Sequence, residues 1–175
     1  MISRFAGGLA GLAMAFAAAS AFAQDESDNQ VAAKTDWSVF EDSDPKECWA
    51  VSSPKKTVNT RDGRVVSVRR GEILLMAFYR PEADVTGQVT FTGGYPFDSG
   101  STVNLDVDGT DFDLFTEGEW AWPASPEDDA KIIAAMKAGT KATLTAMSTR
   151  GTKTEDEFSL LGFTAALEEA ETRCK

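Results

Sequence analysis

The chain has no histidine among its 175 residues, and that absence removes more chemistry than any feature that is present. Ser-His-Asp and Cys-His nucleophiles, imidazole-held zinc and proteases of the H-E-x-x-H type all require the missing side chain. Cysteine is nearly as scarce. Cys48, in the stretch Lys-Glu-Cys-Trp-Ala-Val, and Cys174 are the only two, too few for a four-thiolate metal site. No C-x-x-C, Walker loop, G-x-G-x-x-G or G-x-S-x-G occurs. Three S-x-x-K spacings (Ser43–Lys46, Ser52–Lys55, Ser53–Lys56) lack a companion K-T-G and fall in a chain too short for the serine acyltransferase fold that uses them. Positive charge is also short: 17 basic residues against 28 acidic give a net charge of −11, whose field repels nucleic acid and anionic membrane surfaces.

Long apolar runs are equally few. The one at the start, residues 1–23, places Arg4 ahead of an apolar stretch and ends in Ala21-Phe22-Ala23, the small-x-small pattern of a signal peptidase site. It reads as a removed secretory signal. Gly7, Gly8 and Gly11 interrupt it and a polar segment follows, so no transmembrane segment is expected in the mature chain. Roughly 150 residues remain, enough for one domain that buries about two-thirds of its unfolded surface without a metal. Export, to the periplasm or the medium, means an oxidising compartment, where two cysteines pair rather than stay free. A Cys48–Cys174 bridge closes a loop of about 127 residues, for which chain entropy gives about 5 kcal/mol of stabilisation.

Residues 24–34 are polar, lack aromatics and read as a flexible leader, so the domain is expected over 35–175. From Thr35 to about Phe115, short alternating runs are separated by Gly, Pro, Asp and Asn near every tenth residue, the pattern of an antiparallel sandwich or barrel. Asp108-Gly109 supplies a type I′ turn, and counting outward from it pairs Leu105 with Phe112 and Val103 with Leu114 on the core face. The stretch from Ser125 to Gly139 carries the signals of one inserted helix: Ser125 as N-cap, Pro126 at the first position, Glu127 and Asp128 at the positive end of the dipole, and Ile132, Ile133 and Met136 as buried stripe. Strands return at Lys141–Ser148 and about Glu157–Leu161. A short C-terminal helix then puts Phe163, Ala166, Leu167, Ala170 and Cys174 on one stripe. In the Cys48 strand the period of two separates Trp49 and Val51 from Cys48 and Ala50. Trp49 reads as core, which would send the terminal helix across the outer face or end of that strand.

Each candidate site has a plain structural reading beside it. Trp120 and Trp122, next to Asp113, Glu117 and Glu119, suit sugar stacking or, with two carboxylates, glycoside hydrolysis; two tryptophans beside Pro123 also suit packing at a sandwich edge. Across the hairpin Asp106 faces Asp111, a repulsion that a calcium ion or solvent screening relieves; glycine comes fourth, not sixth, so this is no EF-hand loop. Lys55, Lys56, Arg61, Arg64, Arg69 and Arg70 crowd into one stretch that either docks an acidic partner or guards an exposed strand edge.

Asp36-Trp37-Ser38-Val39, then Cys48, a strand-rich middle, and Phe158-Ser-Leu-Leu-Gly-Phe-Thr-Ala-Ala-Leu167 ahead of a terminal cysteine resemble the invasion-associated locus B family of exported bacterial proteins. The resemblance runs over about residues 35–174. It implies a periplasmic or envelope-associated, immunoglobulin-like antiparallel β-sandwich with no known catalytic centre, in a family named for host-cell entry in some pathogens. The expectation is therefore a mainly-β, non-enzymatic exported binding protein with one inserted and one C-terminal helix. Its partner is a protein or envelope component, not nucleic acid, and no cofactor is implied. A carbohydrate-binding module using Trp120 and Trp122 is the alternative, ahead of a carboxylate-based hydrolase.

Overall fold

Turn chemistry sets the strand boundaries in a computed structural model that describes residues 29–175. The expected signal segment, residues 1–23, lies outside the described residues. Asp62-Gly63 and Asp108-Gly109 both have positive φ at the two turn positions (51° and 73°; 46° and 93°), the backbone a type I′ hairpin demands. The strands are β1 (Gln30–Lys34), β2 (Trp37–Ser43), β3 (Lys46–Ser52), β4 (Lys56–Arg61), β5 (Arg64–Val65), β6 (Leu74–Arg80), β7 (Val85–Thr92), β8 (Thr102–Val107), β9 (Thr110–Glu117), β10 (Trp120–Trp122), β11 (Lys141–Met147) and β12 (Lys153–Ser159). Helix α1 (Pro126–Ala138) lies between β10 and β11, and α2 (Phe163–Arg173) follows β12. The mainly-β antiparallel fold with one inserted and one C-terminal helix is thus as expected. The β8–β9 register also follows the count from the turn: Val103 opposes Leu114, Leu105 opposes Phe112 and Asp106 opposes Asp111.

All twelve strands belong to one hydrogen-bonded sheet, in the order β1-β2-β3-β6-β7-β10-β9-β8-β11-β12-β4-β5. In a flat sheet β7 and β12, five places apart, would be separated by about 24 Å. Instead Phe91 of β7 meets Phe158 of β12 edge-on with centroids 6.2 Å apart. The sheet therefore folds over on itself, and its two halves enclose the core between them. Trp37, Val39, Cys48, Ala50, Leu75, Val89, Phe91, Leu105, Leu144 and Phe158 are fully buried on the inner face, and both helices add residues to the same cluster.

The seam of this roll is where the start of β2 meets the segment that follows β12. Trp37 Nε1 donates to Ser159 O at 3.0 Å, its ring packs 4.8 Å from Phe163, and Asp36 N donates to Leu161 O. Gly162 turns the chain between them at φ 93°, and a Cβ there would sit 1.8 Å from Lys34 O. Glycine is thus required both for the dihedral and for the close approach. The segment Gln30–Lys34 corrects the reading of residues 24–34 as a flexible leader. It is strand β1, paired with β2 from Gln30↔Phe40 to Lys34↔Trp37. Pairing with a neighbour, not local propensity, makes it a strand.

A second correction concerns Trp49. The alternation is as read, but the faces are reversed: Cys48 and Ala50 are fully buried on the inner side, while Trp49 and Val51 point outward. Helix α2 accordingly packs on the inner face with the cysteine, and Cys48 and Cys174 form a disulfide with Cα atoms 5.8 Å apart. No helix among the described residues is long and apolar enough to cross a membrane.

Candidate functional site

The outer face of β2, β3, β6, β7, β10 and β9 carries an aromatic band. Register aligns Phe40 with Trp49 and Trp49 with Phe78. These rings stack at 5.4 Å and 5.9 Å, and the Arg80 guanidinium sits 4.3 Å above Phe78. Each therefore has a neighbour covering one face. Further along, Trp122 opposes Phe115 and Trp120 opposes Glu117 and Thr92. Trp120 is 45% exposed and Phe115 54% exposed, and among the described residues neither they nor Trp122 stacks on another ring. Alternation points Met76, Thr90 and Thr92 outward as well, yet all three are buried. The surrounding side chains cover them and form a second, smaller apolar layer.

Two hollows adjoin these free rings. One of about 320 Å³ is walled by Phe78, Arg80, Gln88, Thr90, Trp120 and Trp122. The other, about 550 Å³, shares Gln88 and Trp122 and continues past Phe115 to Asp84, Ser125 and Asp129. Polar groups inside this groove are held in place. Arg80 donates through Nε to Glu47 at 2.5 Å and through NH1 to Gln88 Oε1 at 2.9 Å.

Asp129 is the unexpected member. Strand β10 ends at Trp122, and the Val89 N–H donates instead to Asp129 Oδ1 at 2.7 Å. Burial, with the neighbouring Asp128 charge as a smaller contributor, pushes this carboxyl up to about 6 against the lowering effect of that hydrogen bond. Sequence reasoning counted Glu127 and Asp128 as dipole partners and passed over Asp129. The signal was present: Asp129, Ile132 and Met136 share one helical stripe, and all three are buried.

The other expected site residues scatter. Asp113 faces Asn104 in the β8–β9 register, Glu117 faces Trp120, and Glu119 lines a different cavity, so those three carboxylates do not converge. Asp106 and Asp111 are cross-strand neighbours as read. Asn104 Nδ2 donates to Asp111 Oδ1 at 3.1 Å, and among the described residues no group of three potential acidic or thiolate ligands exists there or elsewhere.

The profile of the invasion associated locus B (IalB) protein family matches residues 37–171. The chain belongs to the invasion associated locus B family. Its fold is similar to that of the crystal structure of invasion associated protein B from Bartonella henselae, with a TM-score of 0.55 at 18% identity over 81% of this chain and 95% of that one. No curated protein matches it. The two stretches that resemble the family in sequence, Asp36–Val39 and Phe158–Leu167, are the two sides of the seam. The aromatic band lies on another part of the surface.

Proposed function

We propose that this IalB-family protein is an exported, non-enzymatic binding protein, periplasmic or envelope-associated, that engages a protein or other envelope component through its outer aromatic face. The observation that carries the reading is the exposure of Trp120 and Phe115 beside Trp122 on a chain of net charge −11. Exposed aromatics grouped on one face mark interaction sites, because such rings bring large contact area at low entropic cost. Export is supported by the N-terminal sequence and by a pair of cysteines that is joined. To test it, a photo-crosslinking residue replaces Trp120 in living cells, with the same residue at exposed Lys153 as control. A discrete, competable adduct from position 120 alone is expected. Identical adducts from both positions, or none from 120, would refute the reading.

Uncovered ring faces favour one second reading, a carbohydrate-binding face formed by Trp120, Trp122 and Phe115. Sugars stack on such faces while groups such as Gln88 and Arg80 take hydroxyls. Titration with envelope glycans should then shift tryptophan fluorescence, and Trp120→Ala should abolish the shift; an unresponsive spectrum removes this reading.

A further inference from the structure

The basic stretch has no part in the aromatic face, and the structure gathers it elsewhere. A cavity of about 440 Å³ opens at the end of the roll remote from the helices. Arg61, Arg69 and Arg70 line it from one side, Arg150 from the β11–β12 turn, and Tyr95 and Glu119 from two further loops. These residues come from five separate parts of the chain, so their convergence is a product of the fold.

Two of the arginines are fixed in position. Arg70 donates to both Asp156 carboxylate oxygens at 2.8 Å and 2.5 Å and to Gly93 O at 2.8 Å, and it lies 5.0 Å over the Tyr95 ring. Its charge is consumed by Asp156, which is fully buried. Arg61 is held by Nε and NH2, both donating to Thr152 Oγ1 at 3.2 Å and 2.6 Å, a partner without charge. Among the described residues Arg70, Arg80 and Arg173 are in ion pairs, whereas Arg61, Arg69 and Arg150 are not. In a chain with 28 acidic residues, three arginines without a carboxylate meet in one cavity. All three are exposed at its rim, and with Glu119 offsetting one of them the opening keeps an excess of two positive charges on an acidic protein.

We propose that this cavity binds the phosphoryl group of a phosphorylated ligand. Guanidinium forks match phosphate oxygens, and the hydroxyls of Ser148, Thr149 and Thr152 in the same wall offer further partners to a tetrahedral oxyanion. The net negative field repels anions in general, so capture is confined to this opening, where the local sign is reversed. This site is independent of the aromatic face.

The test is thermal unfolding and calorimetric titration of the full mature chain with sodium phosphate, against sodium chloride at equal ionic strength. Wild type, Arg69→Gln, Arg150→Gln and the control Arg64→Gln are compared. Arg64 is exposed like Arg69 and Arg150 and carries the same charge, but lies outside the cavity, so its loss changes net charge alone. The expected result is a saturable phosphate effect that weakens by about tenfold in apparent affinity in either cavity variant and is unchanged in Arg64→Gln. A second arm sediments the protein with phosphatidylcholine vesicles doped with phosphatidic acid. Sedimentation that depends on Arg69 and Arg150 assigns the phosphoryl group to a lipid headgroup; a phosphate response without sedimentation assigns it to a soluble ester. Equal effects of phosphate and chloride, or an Arg64→Gln loss matching the cavity variants, would overturn the proposal.

Discussion

Replacing Asp129 with asparagine should make the protein more stable at neutral pH and leave it unchanged in acid. An ordinary aspartate titrates near 3.8, whereas this one, buried at the lip of the groove, is pushed up to about 6. The folded state thus binds a proton more tightly than the unfolded state. The stability linked to that proton is complete below 3.8 and is lost as pH rises through 6, amounting to about 3 kcal/mol at pH 7. Position near the positive end of α1 works the other way by about 0.3–1 kcal/mol, because the charged form interacts favourably with the helix dipole. Asparagine keeps an amide oxygen for the Val89 N–H and carries no charge. A gain of about 2 kcal/mol at pH 7 is therefore expected, or about 4–8 °C in Tm for a domain of this size. Urea unfolding of both proteins from pH 4 to 8, followed by tryptophan fluorescence, isolates the contribution of Asp129, since other titrating groups cancel in the difference. A difference that stays flat with pH, or a variant less stable at pH 7 than the wild type, would refute the reasoning.

Three further outcomes follow from the packing. Cys48→Ser with Cys174→Ser removes a cross-link spanning 126 positions and should lower stability by about 2–5 kcal/mol; reductant should bring wild type down to the variant's Tm and leave the variant where it is. Asp156→Ala strands the buried Arg70 charge and should destabilise by about 3–5 kcal/mol in urea, while Asp156→Leu with Arg70→Met recovers most of the loss. Gly162→Ala forces a Cβ onto Lys34 O at a left-handed dihedral, and should both lower Tm and speed amide exchange in β1, where a merely local strain would leave β1 protected.

What could be read from the sequence was what is local. The Asp108-Gly109 turn dictates its hairpin register over six residue pairs, and Ser125, Pro126 and Gly139 bound α1, because each signal acts within a few residues of the backbone it shapes. The stripe of α2 and the pairing of two cysteines were equally accessible. Where the reading failed, the deciding partner was distant. Gln30–Lys34 has no strong strand signal and owes its conformation to β2. Trp49 alternates as expected, yet which side becomes the core depends on α2, over a hundred residues later. Trp120 and Trp122 were found by composition; Phe115 joined them only through β9–β10 register, and Asp129 only through the end of β10. The arginine cavity needs five loops and strands to converge, which no periodicity reports.

The pairing of β4 with β12 also has a meaning in time. Lys56 finds Glu157, and Thr60 finds Lys153, about 100 residues downstream, so in chain order β4 always precedes its neighbour by that length. Until β12 is in place the side of β4 away from β5 is an open edge, and Lys55, Lys56, Arg61 and Arg64 on or beside it discourage other strands from adding to it. The strand that eventually arrives carries Glu155, Asp156 and Glu157. Those acids turn elsewhere once the strands are paired, Glu157 to Lys141, Glu155 to Lys153 and Asp156 to Arg70, so the charge beside β4 guards the edge without choosing its partner.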